Sequence, residues 1–245
     1  MFSTLERSQG NLAPMTTSAL NADSFAAIAD HTLLTPGTTS QEVDAFVRHA
    51  ASLGVKRVCV SPSLLPLEKH GLEIVTVVGF PSGAHHAEVK TAETMRAVRD
   101  GADEIDMVVN LALVRAKNYA AVEDEIRMVH EACGQKPLKV ILESASLNDD
   151  ELIGACLAAK RGGAQFVKTS TGFHPDGGAS VHAVEIMSST VGDALGVKAS
   201  GGVRTAEQVQ ELWRAGATRF GVSGTENILK QMRGEGTEDN SDGTY

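Results

Sequence analysis

Four ionisable residues sit inside short apolar runs where a charge is out of place: Asp106 in EIDMVV, Glu143 in KVILE, Lys168 in QFVK and Lys198 in GVKAS. Successive side chains of a β-strand point to opposite faces. Ile105 and Met107 therefore leave Asp106 on the other face, Val140 and Leu142 do the same for Glu143, Val167 for Lys168, and Val197 for Lys198. If these runs are strands, they aim their charges in one direction. An unpaired buried charge is costly, so two lysines and two carboxylates gathered together must compensate one another or shift their pKa values. A second ammonium disfavours protonation of the first and draws one lysine down from about 10.4 toward neutrality, where its free amine attacks carbonyls. Lys168 is the nucleophile candidate, because Thr169, Ser170 and Thr171 follow with hydroxyls to bind substrate and relay protons; Lys198 is then the neighbouring cation. The competing reading is a buried salt-bridge network that only holds the fold together, against the preference of barrel cores for Val, Ile and Leu.

The elements that would position these groups are legible as punctuation. Short β-branched or apolar runs start near Asp30, Arg57, Glu73, Asp103, Leu138, Gln165, Gly196 and Arg219, with helical patterns between them. Thr39 and Glu42 fit a capping box ahead of the apolar face Val43, Phe46, Val47 and Ala50; Thr205 and Gln208 do the same ahead of Val209, Leu212 and Trp213. Tyr119, Val122, Ile126 and Val129 line a further helix that ends near Gly134. Glycine followed by a small apolar residue recurs where helix gives way to strand, at Gly54-Val55, Gly101-Ala102, Gly163-Ala164 and Gly216-Ala217. This α/β alternation predicts a single (β/α)8 TIM barrel, whose chemistry collects at the C-terminal strand ends. A doubly wound open sheet shares the alternation, but no GxGxxG turn follows the first run.

Two glycine-containing turns read as phosphate sites. Ser200-Gly201-Gly202-Val203-Arg204 and Gly221-Val222-Ser223-Gly224-Thr225 follow the last two strands and lead into helix starts, where backbone amides and the helix dipole favour an anion. Gly177-Gly178 either adds amides to that region or merely forms a loop.

The bulk composition narrows the classes. The net charge of -9 and the lack of a Lys/Arg-rich run oppose nucleic acid as a partner, and no apolar run approaches the roughly 20 residues of a membrane span. Residues 1–22 read as a polar tail without a secretory signal, 23–232 as the barrel domain and 233–245 as a flexible polar tail. Cys59, Cys133 and Cys156 are scattered and odd in number, which suits reduced thiols in the cytoplasm. His31, His85, His86, His174 and His182 lack metal-ligand spacing and are expected at surfaces or in loops.

The segments DHTLL, VGFPSG, ADEIDMVVN, FVKTSTG and GVKASGGVRT, in that order over roughly residues 30 to 225, resemble the signature segments of the 2-deoxyribose-5-phosphate aldolase family. The resemblance implies a class I aldolase of deoxyribonucleotide catabolism, a homodimer without metal or organic cofactor. Its small-molecule phosphosugar would be cleaved reversibly to D-glyceraldehyde 3-phosphate and acetaldehyde. It further implies Lys168 as the imine-forming lysine, Lys198 tuning its pKa, and Asp106 transferring protons with an ordered water and Lys198. Thr171 and Gly172 would meet the sugar, Asp30 and Thr32 would match the polar pair of the first strand, and the terminal Tyr245 would assist at the enamine carbon. Two departures stand out: Phe173 follows STG where some members carry lysine, and Ser223-Gly224 replaces a serine pair, shifting phosphate binding toward backbone amides and Arg204. Another Schiff-base barrel, such as a transaldolase or keto-acid aldolase, and a non-catalytic sugar-phosphate-binding barrel are the alternatives.

Overall fold

Alternation along the strands sorts the side chains into an outer set, which packs against helices, and an inner set, which meets across a barrel. The computed structural model describes residues 19–235. Its strands are β1 (Ala29–Leu33), β2 (Arg57–Val60), β3 (Glu73–Val78), β4 (Glu104–Val108), β5 (Leu138–Ile141), β6 (Phe166–Lys168), β7 (Gly196–Ser200) and β8 (Arg219–Val222). All neighbours pair in parallel and β1 pairs with β8, so the sheet closes as β1-β2-β3-β4-β5-β6-β7-β8. Closure decides between the two architectures that alternation alone leaves open: this is the TIM barrel, not an open sheet.

The helices are α1 (Ala22–Ile28), α2 (Ser40–Ser52), α3 (Ala87–Arg99), α4 (Leu111–Arg115), α5 (Tyr119–Cys133), α6 (Asp149–Arg161), α7 (Val181–Val191), α8 (Ala206–Arg214) and α9 (Thr225–Met232). Both expected capping boxes form, at Thr39/Glu42 and Thr205/Gln208, and Asn148/Glu151 adds a third at α6. The four junction glycines adopt positive φ (78°, 106°, 90° and 113° at Gly54, Gly101, Gly163 and Gly216), a conformation that would strain any residue with a Cβ. The chain is docked before α1: Leu20 N donates to Gln210 Oε1 (3.1 Å) and Gln210 Nε2 donates to Leu20 O (2.6 Å). Residues 1–18 and 236–245, which hold most of both expected tails, lie outside the described residues. No helix among the described residues is long and apolar enough to cross a membrane.

The main core lies between the barrel wall and the helices, with Val58, Ile105, Met107, Val140, Val167 and Val197 from the strands meeting Val47, Val122, Ile126, Ala155 and Val184. A smaller apolar cluster of Leu34, Cys59, Val75 and Val77, flanked by Phe80 and Phe173, occupies the β2–β3 side of the interior. Cys59 is therefore a buried filler whose thiol is pushed up to about 11 by burial, and Cys133 and Cys156 are buried free thiols as well.

His31 corrects the surface-or-loop expectation. It lies on β1, 5% exposed, with its ring stacked on Phe46 (centroids 4.4 Å apart) and Nδ1 2.9 Å from Thr225 Oγ1 at the start of α9. Its alternation parity faces outward, and α2 and α9 cover it. Burial first, then nearby His49, pull its pKa from 6.5 down to about 4, against a favourable pull from Glu226. In the unfolded chain it takes up a proton as pH falls from 6.5 to 4, while in the folded chain it does not, so stability drops across that window. The drop is on the order of 3 kcal/mol. Urea unfolding at pH 7, 5.5 and 4.5 is expected to show a flatter dependence for His31→Gln than for the wild type; equal slopes would contradict the assignment. Asp30 and Asp106, held far below their ordinary range, lose their contribution only below about pH 4, outside this window.

Candidate active site

Parity delivers Asp106 on β4, Lys168 on β6 and Lys198 on β7 to one point inside the barrel. Lys168 Nζ and Lys198 Nζ each donate to Asp106 Oδ2 at 2.8 Å, and Lys139 Nζ on β5 donates to Asp106 Oδ1 at 2.8 Å. Lys198 also reaches Asp30 Oδ2 on β1 (2.5 Å) and Lys139 reaches Glu104. Among the described residues Lys168 thus meets one carboxylate, whereas Lys198 and Lys139 each meet two. All four carboxylate and ammonium groups of this hub, Asp106, Lys139, Lys168 and Lys198, are at most 3% exposed. Gly221 makes the geometry possible, since a Cβ there would lie 3.0 Å from Lys198 Cε.

That asymmetry separates the two lysines of the sequence pair. Burial lowers the pKa of Lys168; Asp106 pulls it back and the Lys198 ammonium lowers it again, leaving it below the ordinary lysine value. Burial acts on Lys198 too, but Asp106 and Asp30 together outweigh it and hold Lys198 protonated. Asp106 is buried, which favours its neutral form, yet Lys139, Lys168 and Lys198 together keep it ionised, well below the carboxylate range. A deprotonable amine and a fixed cation therefore share one ionised carboxylate, a set suited to amine addition to a carbonyl.

Beneath the hub the network continues toward the strand starts. Arg219 Nη1 donates to Asp30 (3.0 Å) and Glu104 (3.2 Å), and Arg57 Nε donates to Asp30 (2.9 Å). Phe166 lies under the guanidinium of Arg219, 5.1 Å from its centroid. Lys139, Glu104, Arg57 and Arg219 were not among the expected site residues. Lys139 and Glu104 carry the signal that identified their neighbours, two residues earlier on the same strand face as Ile141 and Asp106.

Glu143 departs from the expectation that it joins the lysines. Its backbone turns left-handed just past β5 (φ 54°, ψ 55°), a conformation that costs a non-glycine residue about 1–3 kcal/mol. Its carboxylate is carried to the β6 loop, where it accepts from Thr171 N (3.1 Å) and Thr171 Oγ1 (2.6 Å). The carboxylate beside Lys198 is Asp30 instead. Thr32 donates to the Asp30 carbonyl (2.8 Å) and so supports that strand without touching a lysine. Of the hydroxyls after Lys168, Thr169 Oγ1 is engaged by Ser200, donating to its carbonyl at 2.9 Å, and does not join the lysines.

The two turns expected to hold phosphate lie at the same end of the barrel. Gly201 and Gly202 have φ of 86° and 76°, and Gly172 has φ of 85°. Gly178 packs directly on the Gly201 carbonyl, where a Cβ would approach to 2.1 Å, and Ala179 N donates to Gly201 O (2.9 Å); the Gly177-Gly178 pair is thus a packing turn against the β7 loop. Val203 is buried and Arg204 exposed. The amides of Arg204 and Thr205 are already taken by Gln208 Oε1 (2.8 and 3.2 Å), which corrects the picture of α8 as an open amide end. At α9 the N-cap is Gly224, preceded by Ser223, and no side chain among the described residues caps the helix. Tyr245 lies outside the described residues. Among the described residues no group of three or more His, Cys, Asp or Glu is placed to hold a metal ion. A separate cleft of about 410 Å³ on the barrel flank, between α3 and α5, is lined by His86, Asn110 and Glu125 and includes none of the lysines above.

Residues 23–230 match the model of the DeoC/LacD family aldolases. The chain belongs to that family. A Nocardia farcinica protein named deoxyribose-phosphate aldolase is 55% identical to this DeoC/LacD aldolase over 205 residues, 83% of this chain and 92% of the relative. One of the same name from Kocuria rhizophila is 53% identical over 210 residues, 85% and 96% of the two chains. The tetrameric deoxyribose phosphate aldolase of Aeropyrum pernix superposes with a TM-score of 0.79 at 31% identity, covering 86% of this chain and 92% of that one.

Removing one partner of a buried ion pair strands the other, which costs about 3–5 kcal/mol. Asp106→Ala, which among the described residues leaves Lys168 without a carboxylate and takes one of two from Lys139 and Lys198, is expected to lose at least that much in a urea titration. A loss below about 1 kcal/mol, the scale of an exposed pair, would contradict Asp106 as the hub.

Proposed function

We propose that this aldolase cleaves 2-deoxy-D-ribose 5-phosphate reversibly to D-glyceraldehyde 3-phosphate and acetaldehyde through an imine on Lys168, as a step of deoxyribonucleotide catabolism. The observation that carries the reading is the amine of Lys168, buried beside Lys198 and sharing a single carboxylate with it. The names and coverage of the relatives support the substrate.

The unprotonated amine of Lys168 adds to C1 of the open-chain sugar, and the carbinolamine loses water to give an iminium. The C2–C3 bond then breaks: its electron pair flows into the iminium, forming an enamine, while the C3 hydroxyl gives up its proton and becomes the aldehyde of glyceraldehyde 3-phosphate. A proton returns to C2, and water hydrolyses the imine to free acetaldehyde and the lysine. Asp106, with an ordered water and Lys198, relays the protons in this scheme, and burial together with the Lys198 charge favours the free amine of Lys168. Thr171 and Gly172 contact the sugar. The phosphate meets the turns at Gly201-Gly202-Val203 and Ser223-Gly224 with Arg204 beside them, where the unstapled start of α9 offers amides and the positive helix end. Tyr245 assists protonation of the enamine. Buried free thiols suit a reducing cytoplasm, and the quaternary reading is a homodimer, which light scattering separates from the tetramer of the Aeropyrum pernix relative.

Incubation with acetaldehyde and borohydride, followed by intact mass and peptide mapping, is expected to place a reduced two-carbon adduct on Lys168. Lys168→Ala is expected to lose both the adduct and cleavage of 2-deoxy-D-ribose 5-phosphate. Active wild type without an adduct would overturn the imine. A second expectation separates this chemistry from metal-assisted enolisation: prolonged EDTA dialysis leaves the cleavage rate unchanged, and a loss restored by a divalent metal would contradict the reading.

A further inference from the structure

Glu143 is buried (1% exposed), sits on a left-handed backbone, and takes no part in the lysine hub. What it does instead is fix the polarity of one hydroxyl. A threonine hydroxyl has one proton to give and two lone pairs to accept with. The proton of Thr171 Oγ1 goes to Glu143 Oε2 (2.6 Å), and one lone pair accepts from Phe173 N (3.1 Å). Among the described residues the second lone pair is left as an acceptor. Because the proton is committed to a carboxylate, Thr171 can accept from a ligand hydroxyl but has none to donate, and the charge behind it strengthens that bond. The clamp is held from both sides: Ser146 Oγ donates to Glu143 O (2.9 Å), and Ser144 N donates to Thr169 O (2.8 Å), tying the β5 and β6 ends together. Burial raises the Glu143 carboxyl above its ordinary value, and the two Thr171 bonds, then His174 and Lys168, favour its ionised form.

We propose that Glu143 is a positioning residue that sets Thr171 as a hydrogen-bond acceptor for the substrate hydroxyl next to the carbon that becomes the aldehyde, making the site select hydroxylated over deoxygenated acceptors. The inference rests on the aldolase reading above and adds to it a residue that acts through another. Glu143→Gln keeps the size and one carbonyl oxygen, but its amide can donate to Thr171 Oγ1, which releases the threonine proton and reverses the polarity.

The test is run in the synthetic direction with acetaldehyde as donor and two acceptors, D-glyceraldehyde 3-phosphate and 3-oxopropyl phosphate, which lacks the hydroxyl beside the aldehyde. The quantity read is the ratio of kcat/KM for the two acceptors. Glu143→Gln and Thr171→Val are each expected to lower that ratio about tenfold or more, as for loss of a hydrogen bond to a charged group. Thr171→Ser, which keeps the hydroxyl, is expected to restore it, and the double variant Glu143→Gln/Thr171→Val is expected to fall no further than either single variant. Equal losses with both acceptors would mean that Glu143 only braces the loop, and would overturn the proposal. Should Glu143→Gln fail to fold, the ratio in Thr171→Val and its return in Thr171→Ser decide the matter, an unchanged ratio in Thr171→Val overturning it. Wild type that condenses neither acceptor would overturn the aldolase reading itself, a result distinct from an unchanged ratio in active variants.

Discussion

The carboxylate of Asp106 is fully buried and accepts from three ammonium groups, Lys139 on one oxygen and Lys168 and Lys198 on the other. No isolated carboxylate or ammonium is stable in such a place, and each is tolerated because the others are there. The arrangement stays lopsided, because cations outnumber carboxylates in the interior. Lys139 and Lys198 each have a second anion, Glu104 and Asp30, while among the described residues Lys168 has Asp106 alone. The shortage of negative charge falls on Lys168, whose proton is therefore easier to remove than that of Lys198.

The fold exists around that hub. Strand alternation turns one set of residues toward the helices, where Val, Ile, Ala and Met bury apolar surface, and leaves the inner set to make a polar interior on the β4–β8 side with an apolar wall of Val75, Val77 and Leu34 opposite. The apolar wall keeps water and its high dielectric away from the amine, which makes every charge in the hub count for more. Closing the barrel through β1 and β8 brings Asp30 beside Lys198 and Arg219, so sheet closure and the protonation of Lys198 depend on the same contacts.

Much of this was legible in the amino-acid order, and the exceptions have physical reasons. Asp106, Lys168 and Lys198 stand out because each interrupts an apolar run that fixes its parity. Lys139 and Glu104 obey the same parity but sit at strand starts, where charge also occurs for solubility, so their burial was not evident. Glu143 shares the inward parity, yet a left-handed turn redirects it; backbone handedness at a non-glycine residue leaves no trace in hydrophobic periodicity. His31 has outward parity, which in this barrel means burial under helices rather than exposure. The amides at Arg204 and Thr205 look open until the Gln208 side chain of the capping box is seen to take both. Assembly leaves no comparable mark, because an interface helix face and a solvent face can carry the same residues.

Asp106 favours the charged form of both lysines, but Asp30 adds to it only at Lys198, so Lys198 stays protonated while burial and the Lys198 charge leave Lys168 easier to deprotonate. Nitrogen-15 NMR of the lysine Nζ groups, assigned with Lys168→Ala and Lys198→Met, tests it directly as a function of pH. The account predicts that Lys168 titrates below the ordinary lysine value while Lys198 stays protonated throughout the stable range. Both lysines titrating together, or Lys198 losing its proton first, would contradict it.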